Sequence, residues 1–243
     1  MIQIGVLGAR GRMGKWVTQL LENEFPLKAK LAVSVDQLDK LESLLSATDV
    51  VIDFSSPNAV VKLLQIAVKT EGKLPALVVG STGWKPDDLK RLEDFAKRTP
   101  VFMTANFSTG VMALVEALKA ASPLLGKLGY VPVLTETHHC HKLDSPSGTA
   151  ITLQKTLAPH DPMSIQTHSI RAGEVIGDHE VSFYGPGDHL VFGHFAQDRS
   201  IFARGAIEVA LWLADTKNLP PPKAMSRIFG MDSYFESLKE LKS

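Results

Sequence analysis

The chain has 243 residues, 44% hydrophobic and 21% charged, which is enough apolar content for one large or two modest cored domains. Its 26 basic and 26 acidic residues cancel, so no global field draws it to nucleic acid or to an anionic membrane. A single cysteine excludes an intrachain disulfide and, with no basic leader and no apolar run of membrane-spanning length, places the chain in the cytoplasm as an expectation.

Ile2 to Leu7 reads as a strand running into Gly8-Ala-Arg-Gly11-Arg-Met-Gly14, after which Met13, Trp16, Val17, Leu20 and Leu21 recur at helical spacing. A strand, a glycine turn and a helix let backbone approach a pyrophosphate and aim a helix N-terminus at it. Glycine turns also join strands to helices for purely structural reasons, so the next element matters. Leu31 to Val35 forms a second strand ending in Asp36, at the distance where an acid accepts ribose hydroxyls of an adenine dinucleotide. No cation occurs in Gln37-Leu38-Asp39, and Lys40 is the first. Asp36 opposes a 2′-phosphate unless Arg10 or Lys40 swings in, so the local charges lean slightly towards NADH over NADPH.

Three further strand-and-turn units follow, at Val50 to Phe54, Ala76 to Gly80 and Val101 to Met103. They end in Ser55-Ser56-Pro57, Ser81-Thr82-Gly83 and Thr104-Ala105-Asn106-Phe107. Helical patterns lie between them, one on Val60, Val61, Leu64 and Val68 and one on Leu89, Leu92, Phe95 and Ala96, the latter opened by Pro86. Strands alternating with helices predict a parallel sheet whose ligand lies at the carboxyl ends of the strands. A helix over Gly110 to Ala121 stops at Ser122-Pro123, and the pattern then changes. Val131 to Glu136 reads as a strand, Gly148 to Leu157 as a helix, and Ser164 to Ser169, Glu180 to Tyr184 and His189 to Phe195 as strands of a mixed, largely antiparallel sheet. Ala203 to Ala214 returns to helix, and Asn218-Leu-Pro-Pro-Pro222 marks a stop before a short helical tail.

The strand from Val131 delivers Glu-Thr-His138-His139-Cys140-His141-Lys142-Leu-Asp144-Ser-Pro-Ser147-Gly148-Thr149, holding three of the chain's eight histidines within four positions. Imidazoles and an ammonium together hold an anion and move a proton. Ser147, Gly148 and Thr149 open a helix whose N-terminal donors favour a carboxylate or phosphate. The bland alternative is a polar strand end with solvated histidines. A metal site is disfavoured, because neighbours on a strand point to opposite faces and no second Cys/His/carboxylate cluster stands out.

Taken together, Gly8-x-x-Gly11-Arg12-Met13-Gly14, Asp53-Phe54-Ser55, Gly80-Ser81-Thr82-Gly83, Ala105-Asn106-Phe107-Ser108-x-Gly110, the run from Glu136 to Ala150 and Ile170-Arg171-Ala172-Gly173 resemble the dihydrodipicolinate reductase family of lysine and diaminopimelate biosynthesis. The resemblance covers most of the chain in order, and its histidine motif is highly specific. It implies an α/β protein: an N-terminal Rossmann-like dinucleotide-binding domain over 1–107, completed by about 215–243, and a mixed α+β domain over 108–214 that binds substrate and builds a homotetramer. It implies proton transfer by His138 and Lys142, and a cyclic dicarboxylate held by His139, Gly148 and Thr149. The implied contacts to NADH or NADPH are Gly8, Ala9, Arg10, Gly11, Arg12, Met13, Asp36, Gly80, Ser81, Thr82, Thr104, Ala105, Asn106 and Phe107, with no metal. Cys140 stands where many relatives carry a basic residue. Two alternatives remain on the residues alone: another two-domain oxidoreductase acting on an amino or keto acid, such as an aspartate dehydrogenase, and a non-catalytic NAD(H) sensor.

Overall fold

The structure, a computed structural model, describes residues 1–36, 40–218 and 228–240. Residues 219–222 of the expected stop and the run Gln37 to Asp39 lie outside the described residues. The chain divides into two compact units, Met1–Phe107 with Ser200–Ser243, and Ser108–Arg199. No helix among the described residues is long and apolar enough to cross a membrane.

The first unit alternates β1 (Ile2–Leu7), α1 (Arg12–Asn23), β2 (Ala29–Val35), α2 (Leu41–Ala47), β3 (Val50–Asp53), α3 (Pro57–Lys69), β4 (Ala76–Val79), α4 (Pro86–Ala96) and β5 (Val101–Met103). Later in the chain, α7 (Ser200–Asn218), β10 (Ile228–Phe229) and α8 (Met231–Glu240) return to it. The sheet is parallel throughout, in the order β10-β5-β4-β3-β1-β2. Chain order reverses direction across it beside β1, which has β2 on one side and β3 on the other. Both faces are covered, so β3 and β4 are buried at every residue and read as continuous apolar runs. Leu41, Leu44, Val60, Leu63, Leu64, Ala67, Leu92 and Phe95 cover one face from α2, α3 and α4. Each of the larger side chains among them, fully buried, contributes about 1.5–3 kcal/mol.

Three expectations need correction here. The apolar stripe of α3 is Ala59, Val60, Leu63, Leu64 and Ala67, while Val68 is 79% exposed, so the stripe lies one position away from the expected one. The elements α2 and β10 were not expected; each is short, and β10 exists by pairing with β5. The third correction moves a boundary. The helix placed with the substrate domain by the 108–214 division belongs to the first unit, because Ala203, Ala206, Ile207, Val209, Ala210 and Leu213 are fully buried as α7 packs against α1 and the parallel strands. Trp212 seals the contact edge-on against Phe102 and Phe229, with centroids 6.1 and 5.5 Å away.

The second unit contains α5 (Thr109–Lys127), β6 (Val131–His138), α6 (Gly148–Leu157), β7 (Gln166–Arg171), β8 (Asp178–Tyr184) and β9 (His189–Phe195). Its sheet has the order β7-β6-β8-β9, with β6 and β7 parallel and the other two pairs antiparallel. Pro123 lies inside α5 and does not end it. The amide that Pro123 lacks would have bonded to Lys119, which is exposed, so water can satisfy that carbonyl. The helix stops at Gly129, whose φ of +84° lets its own N–H reach Gly126 O (3.1 Å) and the Tyr130 N–H reach Leu125 O (3.0 Å).

The site sits on one face of this sheet. Side chains on a strand alternate, so Leu134, Glu136 and His138 share the buried face of β6, and His179, Val181 and Phe183 share that of β8. Register then puts Leu134 opposite Val181 and Glu136 opposite His179. One end of the face is therefore an apolar core and the other end a buried polar cluster.

Candidate active site

In the first unit, the turns after β1, β2, β3, β4 and β5 all lie at the carboxyl edge of the parallel sheet. Gly8, at φ +87°, turns the chain so that its carbonyl accepts the Gly11 N–H at 3.0 Å. A Cβ on Gly14 would lie 2.1 Å from that same carbonyl, so only glycine lets α1 start this close to the turn. Gly11 caps α1 without a side-chain hydrogen bond, and the first turn holds no acid. The N–H groups of Arg12, Met13 and Gly14 have no intrahelical acceptor, an arrangement suited to a pyrophosphate. These features fit the dinucleotide that the sequence pattern implies.

Asp36 follows β2 and accepts the Arg10 N–H at 2.7 Å, while Arg10 Nε lies 3.5 Å from its other oxygen. Arg10, Lys15, Lys40 and Asp36 line one open cavity of 470 Å³ together with Ala9 and Val35. The sequence lean rested on Asp36 having no adjacent cation; the fold brings Arg10, 26 residues away, directly to it. Nearer the sheet, Ser81 Oγ donates to the fully buried Asp53 carboxylate at 2.6 Å, and the Ser55 N–H donates to it at 2.9 Å. Burial pushes the Asp53 carboxyl up, against these hydrogen bonds that pull it down. Asp53 thus ties together the turns after β3 and β4, and the Ser81 side chain is turned inward. Thr104 Oγ1 donates to Asn106 O at 3.0 Å and accepts the Asn106 N–H at 3.2 Å, closing the next turn. Phe107 is 2% exposed, and its ring packs edge-on against Phe54. Thr82 and Ala105 are exposed, and Gly80 is half-buried.

In the second unit, Glu136 is fully buried and bonds through one oxygen to His138 Nδ1. Its other oxygen takes Arg171 NH2 at 2.9 Å and the Ser147 N–H at 3.3 Å. Burial raises the Glu136 carboxyl, but hydrogen bonds from Arg171 and Ser169 and the charge of His138 outweigh it, so it stays below its usual range. His138 is pushed down by burial and by Lys142 and Arg171, against the pull of Glu136. It is therefore neutral at pH 7. An ionised carboxylate only accepts, so the ring proton is assigned to Nδ1, and Nε2 presents a lone pair. Arg171 also donates to Asp144 O at 2.6 Å and to Lys142 O at 3.3 Å, clamping the turn that follows β6. On that turn Lys142 Nζ lies 2.8 Å from Asp144 Oδ1, and the ammonium holds the Asp144 carboxyl low.

Ser147 caps α6 by accepting the Ala150 N–H at 3.2 Å, and its hydroxyl meets His179 Nε2 at 3.1 Å. Ser108 does the same for α5, accepting from Val111 and meeting His194 Nε2 at 3.1 Å. Burial and the neighbouring His138 drive His179 down to about 4. The half-buried His139 has its ring 6.3 Å from that of His141, and the space beside exposed Gly148 is open. Thr149 follows it in the first turn of α6.

The structure thus gathers His138, Lys142, Gly148 and Thr149 around one strand end, and adds Glu136, Arg171 and His179 as their support. Sequence reasoning placed Glu136 and Arg171 in motifs without roles. The two-residue step from Glu136 to His138 was the available signal, since it puts both on one strand face. His179 is 41 positions beyond His138 and carried no local signal. Two donor clusters also form. Glu136, His138 and His179 converge, but the Arg171 guanidinium against Glu136 opposes a cation there. Cys140 and His141, both within the histidine motif, converge on the surface with Glu174, a residue that the sequence reading did not connect to them.

A nucleotide-type parallel sheet joined to a mixed-sheet unit bearing a buried cluster of titratable groups defines a two-unit NAD(P)-dependent oxidoreductase. Family models described as dihydrodipicolinate reductase, N-terminus and C-terminus, match residues 2–107 and 110–231. The chain is 33% identical to the 4-hydroxy-tetrahydrodipicolinate reductase of Campylobacter jejuni subsp. doylei over 98% of each chain. It is 37% identical to that of Rickettsia akari, covering 88% of this chain and 92% of the relative. Its fold matches dipicolinate-bound dihydrodipicolinate reductase from Paenisporosarcina sp. TG-14 with a TM-score of 0.74 at 22% identity, over 96% of this chain and 99% of that one. The chain belongs to the dihydrodipicolinate reductase family.

Proposed function

We propose that this protein reduces 4-hydroxy-tetrahydrodipicolinate to tetrahydrodipicolinate, with loss of water, in lysine and diaminopimelate biosynthesis. NADH or NADPH, when bound, supplies a hydride to a carbon of the unsaturated ring. The first unit holds the dinucleotide: Gly8 to Met13 at the pyrophosphate, Asp36 at the ribose, and the turns Gly80 to Thr82 and Thr104 to Phe107 along the sheet edge. Arg10 beside Asp36 partly offsets the charge that opposes a 2′-phosphate, so both dinucleotides serve.

The second unit holds the substrate. One carboxylate is received at the start of α6, by Gly148 and Thr149, where the helix dipole favours an anion, and by His139. Lys142, as an ammonium, delivers the proton that balances the hydride and stabilises the electron density developing in the ring. His138, neutral and anchored through Nδ1 to Glu136, offers Nε2 as the proton-accepting partner. The observation that carries this reading is the Arg171–Glu136–His138 chain, which fixes a neutral imidazole beside Lys142 at the start of α6. We further assign the protein to the cytoplasm as a homotetramer. The outer face of the mixed sheet supports the latter, for Ile170, Tyr184, Val191 and Phe195 are 46–59% exposed there. Light scattering reads the assembly directly.

The test is NADH and NADPH oxidation with freshly generated substrate, run beside small keto acids with and without ammonium and, in the opposite direction, beside aspartate with NAD+ or NADP+. Turnover with the cyclic dicarboxylate alone is expected. Turnover only with an amino or keto acid would replace this reading by an aspartate dehydrogenase-like one, and dinucleotide binding without turnover by a sensor.

A further inference from the structure

The exposed cluster Cys140, His141 and Glu174 lies outside the machinery described above. We infer that it is a binding site for a zinc-class divalent cation, held by a thiolate, an imidazole and a carboxylate. The donor atoms come from two turns, one after β6 and one after β7, and all lie within 4.8 Å of one another. Those turns are laced together by backbone, with Ala172 N–H donating to His138 O at 2.8 Å and Cys140 N–H donating to Gly173 O at 3.1 Å. The Lys142 N–H closes the first turn on His139 O at 3.1 Å, and the Val175 N–H closes the second on Ala172 O at 3.4 Å. The backbone positions of all three donors are therefore set before any cation arrives.

Tetrahedral zinc, with bonds of about 2.0–2.3 Å, needs ligand atoms roughly 3.3–3.8 Å apart. Closing from the observed spacing takes about one ångström of movement, which exposed side chains supply by rotation alone. Thiolate and carboxylate together neutralise a dication, and the nearest cations are already engaged, Lys142 by Asp144 and Arg171 by Glu136. Sulfur and imidazole donors select zinc, cobalt or cadmium over magnesium or calcium. Three protein ligands leave the fourth position to water. Because Cys140 and His141 lie between His139 and Lys142, a bound cation would also hold those two side chains in place; this consequence, unlike the binding itself, rests on the proposed function.

The test is titration of reduced, tag-free protein with Co2+, read by thiolate-to-cobalt charge-transfer and ligand-field absorption. One equivalent is expected to bind, with the bands lost in Cys140→Ser and affinity reduced at least about tenfold in His141→Ala and Glu174→Gln. Cys140 is the only cysteine, so Zn2+ should also shield the sole thiol from maleimide until a chelator is added. Absence of the bands up to millimolar Co2+, or bands unchanged in both His141→Ala and Glu174→Gln, would overturn the site. Turnover is a separate arm: Zn2+ should slow the wild type reversibly and leave Cys140→Ser unaffected. Binding without this inhibition would sink only the coupling to turnover, and a failed reductase assay would leave the cobalt result standing.

Discussion

The two units present their candidate binding groups by different means. In the parallel-sheet unit these groups are largely backbone: the glycine turn, the uncapped start of α1 and the strand-end loops braced by Asp53. In the mixed-sheet unit they are chiefly side chains, joined by the start of α6, and the charges beneath them are buried, with Glu136 at the centre of a network drawn from three strands and a helix cap. Backbone sites tolerate change wherever a new side chain has room. A buried charge network depends on every partner, since removing one leaves another uncompensated.

The contrast is broken most severely at Glu136. Glu136→Ala strips Arg171 and His138 of the carboxylate they share, and a loss of about 3–5 kcal/mol in urea unfolding is expected. A loss below about 1 kcal/mol would mean the network is no more demanding than a surface ion pair.

His179 sharpens the contrast through pH. Its folded value of about 4 lies below the ordinary 6.5, so the stability it contributes is present above pH 6.5. As pH falls from 6.5 towards 4 the unfolded chain takes up the proton first, and roughly 3 kcal/mol is lost. His179→Gln should flatten the slope of stability against pH in that window by about 1.4 kcal/mol per unit. An unchanged slope would show that His179 is not held neutral.

Two smaller effects probe the ligand contacts. On the proposed role of His139 as a carboxylate contact made equally in ground and transition states, His139→Ala should raise KM on the order of tenfold while kcat changes little. A fall in kcat at constant KM would reassign His139 to the chemistry. Arg10→Ala should leave the melting temperature almost unchanged, because an exposed ion pair contributes only about 0–1 kcal/mol. It should reduce use of NADPH relative to NADH by a few-fold, within about tenfold, and equal losses for both would place Arg10 away from the 2′ position.

The same contrast explains what the sequence disclosed. The glycine turn, Asp36 and the strand-end turns are local patterns, and every strand from β1 to β5 was legible from them. The histidine motif was equally visible because it is contiguous. Arg171, His179 and the pairing of Arg10 with Asp36 depend on strand register or on contacts 26 or more positions apart, which no local period encodes. The allegiance of α7 was hidden for a related reason: its apolar residues announce burial without saying against which sheet. Pro123 misled because a proline is tolerated in a helix where the carbonyl it orphans is solvated.

The central claim is that Lys142 is the proton donor on a turn held by Arg171 and Asp144, and kcat of Lys142→Ala at saturating substrate tests it most directly. A fall of roughly a hundredfold or more, in kcat and kcat/KM together, with normal melting and normal dinucleotide binding, is predicted. Near-full kcat in a folded variant would contradict it and transfer the acid role to His138.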